Sequence, residues 1–105
     1  MNDIPRQVDR ALRALASQDS FHDDRPVLAR LFGPPHFSWT VGWMTVDRVT
    51  RPFAHVCAPP PRLAEAERFL AARFHVTGVQ KGLLARRRHH PFAIITVAGA
   101  KAAGA

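Results

Sequence analysis

The chain has 105 residues, 47% of them hydrophobic, and carries a formal net charge of +7 at pH 7. This length suits one compact domain, and the apolar content is too high for a disordered basic tail. The single cysteine excludes an internal disulfide and any zinc site built on several cysteines. No apolar run approaches the roughly 20 residues that cross a bilayer, and the N-terminus lacks a signal pattern. We therefore expect a cytoplasmic protein with no membrane partner.

The first predicted helix begins after Asp3, which can cap it, with Pro5 in its first turn. Apolar residues at helical spacing form its buried stripe: Ile4, Val8, Ala11, Leu12 and Leu15. The opposite face carries three arginines, Arg6, Arg10 and Arg13. This arginine ridge is either an ordinary solvated helix face or a second surface that contacts phosphates.

A short second helix is predicted from Pro26 to Phe32. Asp23 or Asp24 can cap it. It is expected to end at Gly33, because the two prolines that follow cannot continue a helix.

A β-hairpin is predicted next, because apolar and polar residues alternate from Phe37 to Met44 with the period of a strand. Residues 49 to 58 form the expected partner strand, joined by a turn at Asp47 and Arg48. In that register the expected cross-strand pairs are Trp39 with Val56, Val41 with Ala54, and Trp43 with Pro52. Pro52 lacks an amide hydrogen, so the second strand is expected at an edge or interrupted there.

A third helix is predicted to begin at Pro61 and to bury Leu63, Ala66, Leu70 and Phe74. Glu65 and Arg68 are expected to pair on its flank. Phe69 falls off the buried stripe, so it is expected to pack at an edge or to contact a partner.

The last third of the chain predicts strands. Val76 to Val79 is read as a short strand and Lys81-Gly82 as a turn, while Leu83 to Arg88 is left open between strand and helix. From residue 92 to residue 98, both the even-numbered and the odd-numbered positions are largely apolar. Because these positions point to opposite faces of a strand, the pattern predicts a central strand covered on both faces. The order α-α-β-β-α-β-β predicts a single α+β domain, residues 1 to 105, with a mainly antiparallel sheet and helices packed on one face. Residues 99 to 105 are a short Ala/Gly tail.

Charge is distributed unevenly, since all eight acidic residues lie at or before Glu67. We call the densest cluster of cations the basic segment: Lys81, Arg86, Arg87, Arg88, His89 and His90. Guanidinium groups match phosphate oxygens and protonated histidine adds charge, so the segment predicts an anionic partner. No sequence signature of a base-reading domain is visible, so base-specific readout is not indicated.

The leading hypothesis is a small non-enzymatic accessory protein that binds nucleic-acid backbone or belongs to a ribonucleoprotein assembly. Arg86, Arg87 and Arg88 are the expected principal contacts. The secondary candidates are Lys81, Arg73, His89, His90, Arg6, Arg10 and Arg13. The alternative is a protein-interaction module, whether inhibitor, adaptor or homodimer, that docks on an acidic protein surface.

Phe37, Trp39 and Trp43 lie on one predicted strand face and are candidates for stacking on unpaired bases. Together with Phe69 they are also the candidate protein interface. Burial is the favoured interpretation of the tryptophans, because a domain this small has few other large side chains for its core.

A third hypothesis is a hydrolase-like enzyme that uses His55, with Thr40 opposite it in the hairpin. Catalysis is not expected, because no orienting acid can be placed beside that pair. The six histidines include no metal-binding spacing, and His22 beside two aspartates is only a weak candidate. No metal and no cofactor are predicted.

Overall fold

The computed structural model describes residues 3–18, 27, 30, 37–84 and 90–101. The described elements, in chain order, are α1 (Ile4–Ala16), β1 (Ser38–Val46), β2 (Val49–Cys57), α2 (Pro60–Arg73), β3 (Phe74–Leu84) and β4 (His90–Ala100). The predicted short helix between Pro26 and Phe32 lies outside the described residues except at Val27 and Arg30.

The four strands form one antiparallel sheet in the order β1-β2-β4-β3. The predicted α+β class is therefore confirmed. One core contains the stripes of both helices and the alternate residues of the two central strands, among them Ala54 and Val56 of β2 and Ala93 and Ile95 of β4. Because these side chains belong to one face of the sheet, α1 and α2 lie on that face, which we call the helix face.

Helix α1 forms as its periodicity predicts, with Ile4, Val8, Leu12 and Leu15 buried. Asp3 precedes it but makes no side-chain capping bond. Its carboxylate instead pairs with the Arg6 guanidinium, Nε to Oδ2, at 3.0 Å on the surface.

The β1–β2 hairpin has the predicted register, with Trp39 opposite Val56 and Trp43 opposite Pro52. Asp47 and Arg48 form the turn with φ values of 52° and 66°, the left-handed values of a primed two-residue turn. The prediction for Pro52 is only half right, because β2 is a central strand and β1 is the edge. Pairing between β2 and β4 nevertheless starts only at Phe53. Residues 43–52 therefore project as a two-stranded unit, which we call the hairpin arm.

Helix α2 buries Leu63, Ala66 and Leu70 as predicted, and Phe74 is buried as the first residue of β3. The predicted pair between Glu65 and Arg68 is wrong. Glu65 Oε1 instead accepts from Arg62 Nη1 at 2.6 Å, and the Arg62 side chain is only 1% exposed. Arg62 lies one turn before Glu65, on the side of the helix that faces the core.

Strand β3 is continuous from Phe74 to Leu84, so the predicted turn at Lys81-Gly82 is wrong. Both residues pair in register with β4, Lys81 with Ala93 and Gly82 with Phe92. Register shifts occur between Phe74 and Gly78. The second of them makes Thr77 an extra residue, because Val76 pairs with Val97 and Gly78 with Thr96.

Strand β4 is central as predicted, but only one of its faces is covered by a described helix. Ala93, Ile95 and Val97 are buried in the core, whereas Phe92 and Ile94 are half-buried on the other side. We call this second side of the sheet the open face. The expectation of a strand covered on both faces is therefore wrong for the described part of the chain.

Candidate nucleic-acid interface

The open face carries an aromatic cluster that arises from strand alternation. Ala54 and Val56 point into the core, so Phe53 and His55 between them project from the open face. Phe92 joins them from the neighbouring strand β4. We call Phe53, His55 and Phe92 the ring cluster; all three side chains are half-buried.

Each phenylalanine of the ring cluster lies across a glycine of the adjacent edge strand. A Cβ atom at Gly42 would lie 3.2 Å from Phe53 Cε1, and one at Gly82 would lie 2.7 Å from both Cε1 and Cζ of Phe92. The register places Phe53 opposite Gly42 and Phe92 opposite Gly82. The missing glycine side chains leave room for one edge of each ring, at Cε1 and Cζ, to lie over the backbone of the neighbouring strand.

His55 connects the ring cluster across the two central strands. Its ring centroid lies 5.2 Å from that of Phe92, with 35° between the ring planes. This separation is within the range of favourable aromatic pairs. Phe53 lies two residues from His55 on the same face of β2, so all three rings belong to the middle of the open face.

A groove of about 460 Å³ adjoins this surface, between the hairpin arm and the β3–β4 pair. Its apolar wall comes from the arm and from β4: Met44, Val46, Val49 and Ile94. Thr77, Gln80 and Thr96 add polar groups. The charged residues that line it are Asp47, exposed at the turn, and Arg51, which is half-buried.

Arg51 lies at one end of the sheet, and Leu84 and His90, the strand residues on either side of residues 85–89, lie at the other. Arg86, Arg87, Arg88 and His89 fall outside the described residues, and His90 is described only as the first residue of β4. Leu84 pairs with His90, so the two strands that the segment connects end beside Gly82 and Phe92. From Arg51 to Cys57, opposite Phe92, the strand spans about 20 Å.

Other predicted site residues make contacts within the protein near α2. Lys81 Nζ lies 3.2 Å from Glu67 Oε2. The Arg73 guanidinium carbon lies 3.5 Å from the centroid of the Phe69 ring, and Arg73 Nη1 donates to the Phe69 carbonyl at 3.1 Å. Phe69 itself packs against the edge of the core, which is one of the two places predicted for it.

The arginine ridge is on the helix layer, away from the open face. Arg6, Arg10 and Arg13 are all exposed on α1. Arg13 Nε contacts Asp9 Oδ2 at 3.1 Å, so two of the three arginines pair with an acid, Arg6 with Asp3 directly before the helix and Arg13 with Asp9 within it. The structure does not bring this ridge together with the ring cluster.

The predicted aromatic set Phe37, Trp39 and Trp43 lies on the helix face. Phe37 and Trp39 pack against the core with ring centroids 5.3 Å apart. Trp43 is on the same side of β1 but is 54% exposed. Trp39 is half-buried against the core, so the expectation of burial holds for it in part, whereas it is wrong for Trp43. Neither indole belongs to the open face.

Among the described titratable groups, Asp9 has a pKa that departs clearly from its ordinary value. The hydrogen bond from the Trp39 indole lowers the pKa of Asp9 below its ordinary value, and Arg13 acts in the same direction. Burial acts in the opposite direction and is outweighed.

The described residues contain no group of three or more His, Cys, Asp or Glu side chains that could hold a metal ion. Neither α1 nor α2 has the length and apolarity needed to span a membrane.

Sequence reasoning missed the open face because β4 is apolar on both alternating sets and looks covered on both sides. One signal for it was present in the predicted hairpin register, which already places Gly42 opposite Phe53. The second pair, Gly82 with Phe92, could not be found while Lys81-Gly82 was expected to form a turn.

Comparison of the chain with protein-family models, with curated proteins and with solved structures finds no match.

Proposed function

We propose that this protein is a non-enzymatic accessory protein that binds single-stranded nucleic acid along the open face of its sheet. Bases stack on the ring cluster, and the phosphate backbone is held by Arg51 and by the arginines of the basic segment. The basic segment keeps the role expected from the sequence, as the main source of phosphate contacts. The surface on which the bases lie is different from the predicted tryptophan face.

The observation that carries this proposal is the position of Phe53 and Phe92 across glycines. A ring that lies against backbone offers one face to a ligand, and every nucleobase has a complementary π-face. A side chain that only filled a core would have a helix packed over it. Here the helix layer is on the other side of the sheet, where Ala54, Val56, Ala93 and Ile95 form the core.

Charge supports the same partner. The chain has a formal net charge of +7, which favours encounter with a polyanion. Arg51 flanks the ring cluster at one end, and the strands joined by the basic segment meet at the other. A strand of nucleic acid laid along β2 would run from Arg51 over the ring cluster toward the end of the sheet where the chain continues from Leu84 into the basic segment.

The test is binding of a fluorescently labelled single-stranded oligonucleotide, measured by anisotropy, with the blunt duplex of the same length as competitor. Phe53→Leu/Phe92→Leu keeps apolar bulk but removes the π-faces. We expect this variant to bind at least about tenfold more weakly, since base stacking contributes about 1–3 kcal/mol per base. Trp43→Leu is the matched control, because it removes an exposed ring from the helix face and should leave affinity unchanged.

A salt titration separates the roles of rings and arginines. Arg86→Ala/Arg87→Ala/Arg88→Ala should reduce the slope of log affinity against log salt, by about 0.7 for each phosphate of a single strand that the protein no longer neutralises. The Phe→Leu variant should keep the slope and lose affinity. Unchanged single-strand affinity in folded Phe→Leu protein would overturn the proposal.

The protein-interaction alternative is an outcome of the same measurements. If the open face instead joins two copies of the chain, light scattering will show a dimer that Phe53→Leu/Phe92→Leu converts to monomer. In that case the oligonucleotide will bind neither the dimer nor the monomer. That result would replace nucleic-acid binding with self-association at the same surface.

A further inference from the structure

We propose that the groove beside the hairpin arm is a subsite for one nucleotide unit, with Arg51 as the residue that binds its phosphate. This inference rests on the proposed function and names where one end of the bound strand is anchored. The volume of the groove, about 460 Å³, falls within the range of about 300–1,000 Å³ typical of small-ligand pockets.

Arg51 carries the argument for an anion. Its side chain is half-buried in the groove, and among the described residues it makes no hydrogen bond or ion pair. A half-buried arginine can lay its aliphatic stem along the apolar wall and keep its guanidinium available to an acceptor in the groove. Its planar fork of donors matches two oxygens of a phosphate. Asp47, the acid that also lines the groove, lies at the exposed turn and keeps its hydration.

The walls of the groove fit the rest of a nucleotide. Met44 and Ile94 supply apolar surface for the flat face of a base. Thr77, Thr96 and Gln80 supply hydroxyl and amide groups that can bond to base edges or sugar hydroxyls. The Thr77 and Thr96 hydroxyls are held in place by their own hydrogen bond of 3.1 Å, which the extra residue at Thr77 makes possible.

The groove is also continuous with the ring cluster. Arg51 and Phe53 are two residues apart on the same face of β2, so their Cα atoms are separated by about 7 Å along the strand. A nucleotide anchored at Arg51 therefore leaves the next base beside Phe53. The hairpin arm lines the far side of the groove, so we place the end of the bound strand there.

Methionine methyl NMR tests the subsite directly, because the chain has two methionines, Met1 and Met44, and Met44 lines the groove. With ¹³C-methyl-labelled methionine, we expect uridine 5′-monophosphate to shift the Met44 signal in a saturable manner. Uridine, which lacks the phosphate, should bind about tenfold more weakly. Inorganic phosphate alone should give a smaller Met44 shift, because it places no base against the methyl group.

Arg51→Gln should remove the difference between the nucleotide and the nucleoside. Arg48→Gln is the matched control: it removes the same charge from the exposed turn of the same hairpin and should preserve that difference. Absence of a saturable Met44 shift, or an equal preference for the nucleotide in Arg51→Gln, would overturn the inference.

Oligonucleotide binding separates this inference from the proposed function. If Phe53→Leu/Phe92→Leu weakens oligonucleotide binding and Arg51→Gln does not, the ring cluster binds nucleic acid and the subsite is rejected. If the nucleotide shifts Met44 through Arg51 while no oligonucleotide binds, the groove is a nucleotide site and the stacking proposal is rejected. Loss of oligonucleotide affinity in both variants supports the two together.

Discussion

Trp39 Nε1 donates a hydrogen bond to Asp9 Oδ1 over 2.8 Å, which joins the edge strand β1 to helix α1. The two residues are 30 positions apart. Asp9 also accepts from Arg13 Nε at 3.1 Å, so its carboxylate connects the helix surface to the strand beneath it. An edge strand has a neighbour on one side only, and this bond supplies an additional constraint on its position.

Trp39→Phe should therefore destabilise the fold by about 1.5–3 kcal/mol at neutral pH, the range for a hydrogen bond to a charged group. Because the bond lowers the pKa of Asp9 in the folded state, its contribution is present above the unfolded-state pKa of about 4. It is lost as the pH falls through the lower folded-state pKa. Urea unfolding followed by circular dichroism at pH 7 and pH 3 measures the difference.

Trp43→Phe is the control for that comparison, since its ring is 54% exposed and donates no side-chain hydrogen bond within the described residues. Its effect should be small and independent of pH. A loss in Trp39→Phe that is as large at pH 3 as at pH 7 would assign the effect to ring packing instead of the bond to Asp9.

Gly82→Ala should disturb the ring cluster, because the new Cβ would lie 2.7 Å from two atoms of the Phe92 ring. We expect a loss of about 1–2 kcal/mol in stability as the ring is displaced, together with weaker single-strand binding. Gly99→Ala is the control, since a Cβ there meets nothing within 4 Å. Equal unfolding midpoints for the two variants would show that Phe92 does not need the space above Gly82.

Asp47→Asn/Arg48→Gly should stabilise the hairpin arm without changing the net charge. Both positions have positive φ, which Asn and Gly adopt at lower cost than other residues, and Asn-Gly is the preferred sequence for this turn. We expect a gain of about 1 kcal/mol in the free energy of unfolding, seen as a higher melting temperature. Asp47→Ala/Arg48→Ala has the same net charge and keeps the strain, so a similar gain in that variant would contradict the explanation.

Glu65→Gln should cost more than Glu67→Gln, although the two residues are two apart on α2. Glu65 partners Arg62, whose side chain is 1% exposed, so neutralising Glu65 removes an ionic contact from a buried cation. Glu67 partners the exposed Lys81. We expect about 1–3 kcal/mol for the first and below about 1 kcal/mol for the second. Chemical unfolding of both variants decides the order, and a reversed order would mean that the Arg62 charge is balanced by other groups.

Much of the fold follows from short-range patterns. The helix stripe of α1 and the pairing of Trp39 with Val56 can both be predicted, because periodicity and a two-residue turn involve neighbouring parts of the chain. The mistaken turn at Lys81-Gly82 has the opposite origin. Glycine is common in turns, but Gly82 is needed here because the Phe92 ring of another strand lies across it.

The candidate site was less accessible to sequence reasoning than the fold. Alternation assigns Phe53 and Ala54 to opposite faces of β2 but does not say which face the helices cover. The tryptophans are the largest aromatic residues, so the sequence-based hypothesis assigned base stacking to them. The sheet order then put Trp39 under α1, where Asp9 accepts its hydrogen bond, and left Phe53 and Phe92 on the open face.

The sequence by itself determined the class of fold, the hairpin register and the positive charge that predicts an anionic partner, because each depends on composition or on spacing along the chain. Only the tertiary structure decided which aromatic residues lie on the open face, that Arg51 lines a groove, and that Arg62 is buried beside Glu65. The physical reason is that burial depends on what packs against a residue. In this protein the deciding neighbours belong to other elements: Gly42 and Gly82 on the edge strands, and the helices on the opposite face.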